Sequence, residues 1–217
     1  MKRLLTLSLF SIAALLLQTG CVVGRRTVAL SVPPAAVAAE VTKGDLRIAS
    51  VVDQRVFENK PSDPSTPSID GDVGEMSAAV KDTMIGRQRN GYGKAMGDIA
   101  LPSGDSVSER ARAVVEQGLR QHGYRISTAT DAATSAEVAV DEFWAWFSPG
   151  FMSVGFEARV YCTLTLRKAD KSATVVIKGY GENRGQIASD ANWQLAYERA
   201  FTDFLAKIGP ELDQAGF

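Results

Sequence analysis

Few side chains in this sequence could act as a nucleophile or as a general acid and base. The chain has one histidine, His122, and two cysteines, Cys21 and Cys162. His122 falls in the last turn of a predicted helix, where a cation complements the helix dipole. Cys162 falls on the apolar side of a predicted strand, where small buried cysteines are common. The sequence therefore predicts structural roles for His122 and Cys162, no catalytic residue, no metal site, no cofactor and hence no enzyme.

A glycine-rich segment, residues 86–94, contains several basic side chains. It ends in Lys94 but continues with Ala95 instead of serine or threonine, and its glycine spacing differs from that of nucleotide-binding loops. The basic side chains stand beside an aromatic one: Arg87, Arg89, Lys94 and Tyr92. Two interpretations stay open, contact with anionic lipid or an acidic partner, and a solvated loop.

Aromatic residues crowd a predicted turn near residue 150. They are Phe143, Trp144, Trp146, Phe147 and Phe151. Exposed apolar patches of this kind mark binding surfaces, so Trp146 and Phe151 are candidates for contact with a membrane or a partner. Strand alternation sends Phe143 and Phe147 to one face and the two tryptophans to the other, so at least half of the cluster should lie in the core.

The amino-terminal residues have the layout of an export signal. Lys2 and Arg3 precede a charge-free apolar run over residues 4–17, as in a secretory signal peptide. The following residues, Leu17-Gln18-Thr19-Gly20-Cys21, resemble the lipobox of bacterial lipoproteins, which implies acylation of Cys21 with palmitate-type chains. An uncleaved helical anchor is the alternative, although the apolar run is shorter than the roughly 20 residues of a membrane span.

The residues after Cys21 bear on location and on partners. Val22 and Val23 lack the aspartate that retains many lipoproteins in the inner membrane, so the lipobox resemblance implies an outer-membrane protein with its domain in the periplasm. Removal of Lys2 and Arg3 with the signal leaves 22 basic and 25 acidic residues, a formal net charge of −3. A nearly balanced charge argues against nucleic-acid binding.

The rest of the chain predicts one domain behind a flexible tether. We assign residues 1–20 to the signal peptide, 21–43 to the lipidated cysteine and tether, and 44–217 to a single periplasmic α+β domain. Pro33 and Pro34 discourage a helix in the tether. Recurrent glycines over residues 71–104 make long regular elements there improbable.

Periodicity predicts the main elements of the domain. Alternating apolar residues indicate strands over 46–52, 136–147, 156–167 and 173–180, the last three forming an antiparallel meander. Ser106 and Glu109 form a capping box before a helix that ends at Gly123. A final helix runs from Asp190 to Ile208, where Gly209-Pro210 ends it.

Two amphipathic helices and a half-polar sheet bury their apolar faces on each other. The predicted fold class is therefore α+β, a two-layer sandwich of about four mostly antiparallel strands with two helices packed on one face.

At this point the chain resembles the YajG-type family of bacterial lipoproteins over residues 46–212. The matching motifs are Cys21, Asp53-Gln54-Arg55, Ile85-Gly86-Arg87, Asn90-Gly91-Tyr92-Gly93 and Gly123-Tyr124. The layout is also similar to that of lipoproteins in envelope assembly, including the lipopolysaccharide-transport plug and the amino-terminal domain of TolB. This resemblance implies a fold and a location, because the family has no established activity.

These observations support hypotheses from different functional classes. The first is a non-catalytic, outer-membrane-anchored periplasmic module that binds an envelope protein partner, serving envelope or surface-appendage assembly. The second is a carrier or plug that binds lipid or lipopolysaccharide, which needs an open apolar cavity between sheet and helices. The third is an envelope hydrolase, for which the sequence proposes no convergent acid, base and nucleophile.

Overall fold

The computed structural model describes residues 24–34, 40–90, 93–149, 154–185 and 189–217. The strands in these ranges are β1 (Arg26–Thr27), β2 (Gly44–Asp53), β3 (Met84–Arg89), β4 (Ala95–Ala100), β5 (Tyr124–Ile126), β6 (Thr134–Pro149), β7 (Val154–Lys168) and β8 (Lys171–Gly185). The helices there are α1 (Ala78–Lys81), α2 (Val107–Gln121) and α3 (Asp190–Gln214).

The predicted sheet is wrong in size and in type, although the fold is α+β. In the described ranges the strands form one eight-stranded mixed sheet accompanied by three helices, instead of four antiparallel strands and two helices. Residues 71–104, where glycines recur, contain β3 and β4, which were not predicted as a pair of strands. Gly86 explains this, because a Cβ there would lie 2.7 Å from the carbonyl oxygen of Ala145 on β6. A glycine that weakens an isolated strand thus permits close strand pairing here.

Strand β6 is the centre of the sheet. One of its edges pairs with two strands in succession, parallel β2 from Thr134 to Val140 and parallel β3 at Ala145. Its other edge pairs with β7, which in turn pairs with β8, both antiparallel. The predicted meander is therefore confirmed, and its strands are longer than predicted.

The buried side chain of Arg55 lies beside β6 at the point where pairing with β2 ends and pairing with β3 begins. The Arg55 guanidinium donates to both carboxylate oxygens of Asp53, at 2.8 and 2.7 Å. It also donates to the backbone carbonyls of Met84, Phe143 and Lys81, at 2.6, 2.8 and 2.8 Å. All five N–H groups of the guanidinium are thus satisfied. The Asp-Gln-Arg motif therefore joins three segments of the fold.

Helix α2 follows its sequence prediction. The Ser106 side chain accepts a hydrogen bond from the Glu109 backbone N–H at 3.1 Å, and Gly123 has a φ of 92° just beyond the helix. Helix α3 begins at Asp190 as predicted but continues to Gln214 with Pro210 inside it, so the predicted end is wrong. Burial of Leu212 holds this last part of the helix on the core in spite of the proline.

The main core lies between the sheet and helices α2 and α3. Glycines on β8 bring α3 very close: a Cβ at Gly181 would lie 2.2 Å from the Ala196 carbonyl oxygen, and one at Gly179 would lie 2.4 Å from that of Ala200. Side chains of β7 that point to the same side are fully buried: Phe156, Ala158, Val160, Cys162, Leu164 and Leu166.

A second, smaller core lies on the opposite face of the sheet. There Trp144 and Trp146 pack with Ile69, Met84 and Ala100. Residues between β2 and β3 cover this cluster, namely Phe57, Val73, Met76 and, on α1, Val80. The Trp144 indole N–H donates to the Pro64 carbonyl at 3.2 Å. The segment between β2 and β3 therefore covers the second core.

Residues 24–34, which the sequence places in the predicted tether, lie against the domain. Strand β1 pairs in parallel with β4, with Arg26 opposite Ile99. Val28 and Leu30 are buried in the main core. The Gln194 side chain donates to the Ala29 carbonyl at 3.0 Å. This segment is thus part of the folded body.

Candidate interaction surfaces

Arg87, one of the predicted contact residues, is an internal residue. Its side chain is 7% exposed and contacts the Ile69 carbonyl and the Asp70 carboxylate, the latter at 3.2 Å. Its Nε lies 3.7 Å from the Asp98 carboxylate. Burial raises the pKa of Asp98 against the opposing effects of the Asp70 backbone N–H and Arg87. Arg87 therefore links β3, β4 and the covering loop.

The other basic residues of segment 86–94 lie nearer to solvent than Arg87. Arg89 is partly buried and donates to the carbonyls of Gly93 and Pro61, at 3.1 and 3.3 Å, and its burial lowers the pKa of the guanidinium. Lys94 is exposed and forms no ion pair with another described residue. Tyr92 lies outside the described residues.

The aromatic cluster divides between the two cores, as alternation predicted. Phe143 belongs to the main core and Trp146 to the second one, where Trp146 is 4% exposed. The Arg159 guanidinium lies 4.8 Å from the centroid of the Trp146 ring. Phe151 lies outside the described residues. Sequence reasoning did not predict that residues between β2 and β3 cover the tryptophans. The signal was the set of apolar residues dispersed along that segment: Phe57, Ile69, Val73 and Met76.

Of the two residues with possible nucleophilic or acid–base chemistry, Cys162 is enclosed in the core and His122 has polar partners from distant parts of the chain. Cys162 is fully buried, and this burial raises the pKa of its thiol. The His122 Nε2 lies 2.6 Å from the Lys43 ammonium, 3.1 Å from the Phe217 carbonyl oxygen and 3.2 Å from the Asp213 carboxylate. Among the described residues, no group of three or more His, Cys, Asp or Glu side chains is placed to hold a metal ion.

The outer side of β2, β6, β7 and β8, beyond the second core, is not covered by any helix of the described ranges. We call this surface the open face. One row across it consists of Val52, Ala139, Thr163 and Val176, each opposite the next. Val52 is 48% exposed and Val176 is 44% exposed. The next row consists of Ser50, Glu137, Thr165 and Thr174. The open face therefore presents short, mainly β-branched side chains on a rigid sheet.

Polar contacts border the open face on the side of the second core. Arg159 pairs with Glu142 at 3.4 Å. The Tyr180 hydroxyl donates to Glu157 at 2.8 Å. Burial, followed by this hydrogen bond, raises the pKa of Tyr180 to about 12, so its phenol is neutral at physiological pH.

Side chains of α3 occupy part of the free edge of β8. Asp203 accepts from the Tyr180 backbone N–H at 2.9 Å, and Lys207 donates to the Lys178 carbonyl at 3.0 Å. Arg199 donates to the Glu182 carbonyl. Satisfied edge groups resist pairing with an added strand, so this stretch favours contact through the face of the sheet.

A third surface is the end of the domain at which the described chain begins, at Gly24, and we call it the anchor-side end. Its described residues include Gly24, Arg25, Lys94, Met96 and Arg184. The Gly24 backbone N–H donates to the Met96 carbonyl at 3.1 Å. A cavity of about 410 Å³ opens beside them, lined by Gly24, Arg25, Asp70, Ala95, Met96, Gly97 and Asp98. Cys21 itself lies outside the described residues.

Comparison with known proteins decides the family. A family model described as "Uncharacterized lipoprotein" matches residues 88–212. The chain belongs to this family. The predicted resemblance to YajG-type lipoproteins is thereby confirmed. No protein with a curated description matches the chain, and no helix in the described ranges is long and apolar enough to cross a membrane.

The solved structures that match this lipoprotein share little sequence with it. A crystal structure of a protein from Xanthomonas campestris is 11% identical over 88% of this chain and 95% of its own, with a TM-score of 0.47. A crystal structure of an uncharacterized protein is 10% identical over 87% and 97%, with a TM-score of 0.35. A hypothetical protein from Chlamydia trachomatis is 9% identical over 79% and 98%, with a TM-score of 0.31.

Proposed function

We propose that this lipoprotein is acylated at Cys21 in the outer membrane and that its periplasmic domain is a non-catalytic module that binds an envelope protein. Membership of a lipoprotein family and the residues around Cys21 support the anchor. The open face supports the binding role. The process that this module serves is envelope or surface-appendage assembly.

The observation that carries the binding role is the contrast between a filled interior and an uncovered sheet face. Phe143 stacks on Tyr197 with ring centroids 5.0 Å apart, and Phe156 meets Trp193 edge to face at 4.9 Å. These rings fill the space between the sheet and α3 that a lipid carrier would need as a cavity. The geometry therefore favours contact through a surface over enclosure of a lipid.

The pattern of the open face suits a protein partner. Its centre holds the row of Val52, Ala139, Thr163 and Val176, three of which are apolar, while charged pairs lie around it, including Glu137 with Arg167 at 2.6 Å. Protein interfaces commonly combine an apolar centre with a polar rim. The occupied β8 edge also directs a partner to the face of the sheet.

Site-specific photocrosslinking in intact envelopes tests this function. A photoreactive residue at Val176 should form a discrete adduct with one protein, and Thr174→Arg should abolish that adduct because it places a long cation next to the contact. The matched control is a photoreactive residue at Thr202, which is exposed on α3. Equal adducts at both positions, or no adduct at Val176, would contradict the binding role.

The anchor has a separate test. Mass spectrometry of the native protein should show an acylated Cys21 at its amino terminus, and Cys21→Ser should move the protein from the membrane fraction to the soluble periplasm. An intact Met1 terminus without acyl mass would contradict acylation.

A further inference from the structure

We propose that the anchor-side end rests on the phospholipid headgroups of the membrane that holds the lipid, with the long strands directed away from the bilayer. This inference rests on the proposed acylation of Cys21. In this arrangement the domain is held in one orientation at the membrane surface, whereas the predicted flexible tether would let it take many.

The first step is the short distance along the chain. Gly24 is hydrogen-bonded to Met96 at 3.1 Å, and Cys21 is three residues before Gly24. Three fully extended residues span at most about 11 Å. An acyl group on Cys21 therefore keeps the bilayer surface close to the place where β1 joins β4.

The second step is direction. Because β1 runs parallel to β4, the chain before Gly24 leads toward the end at which β4 begins, next to Lys94. β3 is antiparallel to β4, so β3 ends at Arg89 where β4 begins. Because β3 is parallel to β6, β6 also ends here, at Pro149. Val154 pairs with Pro149 and Gly185 pairs with Val154, which brings Arg184 to the same end.

The third step is that residues 24–30 are held firmly against the domain. A Cβ at Gly97 would lie 2.0 Å from the Gly24 carbonyl oxygen, so the absence of a side chain at position 97 lets this segment lie directly on β4. Farther along, Val28 is 1% exposed and Leu30 is 4% exposed. Arg110 donates to the Leu30 carbonyl at 3.3 Å. The domain cannot rotate about a segment that is buried in this way.

The chemistry of the anchor-side end fits phosphate-bearing headgroups. The side chain of Arg25 is 51% exposed and that of Arg184 is 75% exposed, and Lys94 is exposed as well. Acidic side chains at this end lie beside arginines: Asp70 pairs with Arg87, Asp190 with Arg26, Glu182 with Arg184, and Asp98 lies 3.7 Å from Arg87 and 3.9 Å from Arg25. Arg25 and Arg184 are thus paired but keep exposed guanidinium surface, and Lys94 forms no ion pair with another described residue. Basic groups near a bilayer surface are attracted to anionic lipids.

Fluorescence quenching by headgroups tests the orientation. The acylated full-length protein is placed in phosphatidylethanolamine vesicles that contain phosphatidylglycerol and a lipid with a spin-labelled headgroup. A fluorophore is attached through Lys94→Cys or Arg184→Cys, and the matched control is Asp170→Cys in the turn at the opposite end of β7. Buried Cys162 does not compete for the label. Since β7 is 15 residues long, the two ends are roughly 46 Å apart.

Quenching at Lys94→Cys and Arg184→Cys should exceed that at Asp170→Cys several-fold. Insertion of a flexible glycine-serine segment between Val23 and Gly24 should remove this difference, because it removes the short distance to the bilayer. Equal quenching at both ends, or a difference that persists with the inserted segment, overturns the inference.

Failure of this inference is distinguishable from failure of the proposed function. A membrane-bound protein with an acylated Cys21 but without preferential quenching at Lys94→Cys overturns the orientation alone. A protein without acyl mass that fractionates with the soluble periplasm overturns the proposed anchor, and with it the basis of this inference.

Discussion

Replacement of Arg55 by methionine should destabilise the domain severely without any change at its surface. The side chain of Arg55 is fully buried and pairs with Asp53, while three of its bonds satisfy backbone carbonyls of separate segments. Breaking a buried ion pair by removal of one partner costs about 3–5 kcal/mol. Arg55→Met removes the cation that pairs with Asp53, leaving the backbone N–H of residue 55 as a donor to that carboxylate. It also removes the side-chain donor to the carbonyls of Met84 and Phe143, so a loss in this range is expected.

Urea denaturation of the non-acylated chain, followed by circular dichroism, measures this loss. The midpoint should fall while the dependence of the unfolding free energy on urea stays constant, as for a stability change with the same unfolded state. The matched control is Arg167→Met, which breaks the exposed pair with Glu137 and should shift the midpoint little, because solvent screens exposed ion pairs.

A double-mutant cycle identifies the source of the effect. Asp53→Ala combined with Arg55→Met should cost less than the sum of the two single changes, because the double variant buries no unpaired charge. A midpoint for Arg55→Met close to that of Arg167→Met, or strict additivity in the cycle, would refute the proposed role of the Asp-Gln-Arg motif.

Three further predictions follow from packing. Gly181→Ala should destabilise the domain by about 1–3 kcal/mol in thermal unfolding, because its Cβ would meet the Ala196 carbonyl at 2.2 Å; Gly155→Ala, whose closest contact is 3.4 Å, is the control that should change little. Trp146→Ala should cost about 3–5 kcal/mol through the second core, and an unchanged urea midpoint would contradict its burial. Cys162 should resist maleimide at pH 8 until urea unfolds the chain, because burial raises the pKa of its thiol; rapid labelling of the native protein would contradict this.

Elements that are specified by residues close together in the chain could be predicted from the sequence. The α2 cap at Ser106, its end at Gly123 and the alternation of β7 depend on near neighbours in the chain, and the structure contains each of them. Residues around Cys21 likewise form a local motif, which an export system would read before any folding.

The sheet could not be predicted in full, because its short strands are stabilised by distant partners. β1 has two residues and β5 has three, too few for a periodic pattern. β3 depends on the pairing of Gly86 with Ala145 far along the chain. Propensity alone disfavours a strand there, and tertiary pairing overrides it.

The candidate surfaces divide in the same way. Sequence alone determined the lipobox-like motif, the basic loop and the two-sided aromatic strand, since each is a property of neighbouring residues. Only the tertiary structure decided that Arg87 and Trp146 are internal, that Lys94 lies at the same end of the domain as Gly24, and that the Val52 row is open. Burial depends on which distant segment covers a side chain, and that is settled by packing of the whole chain rather than by local spacing.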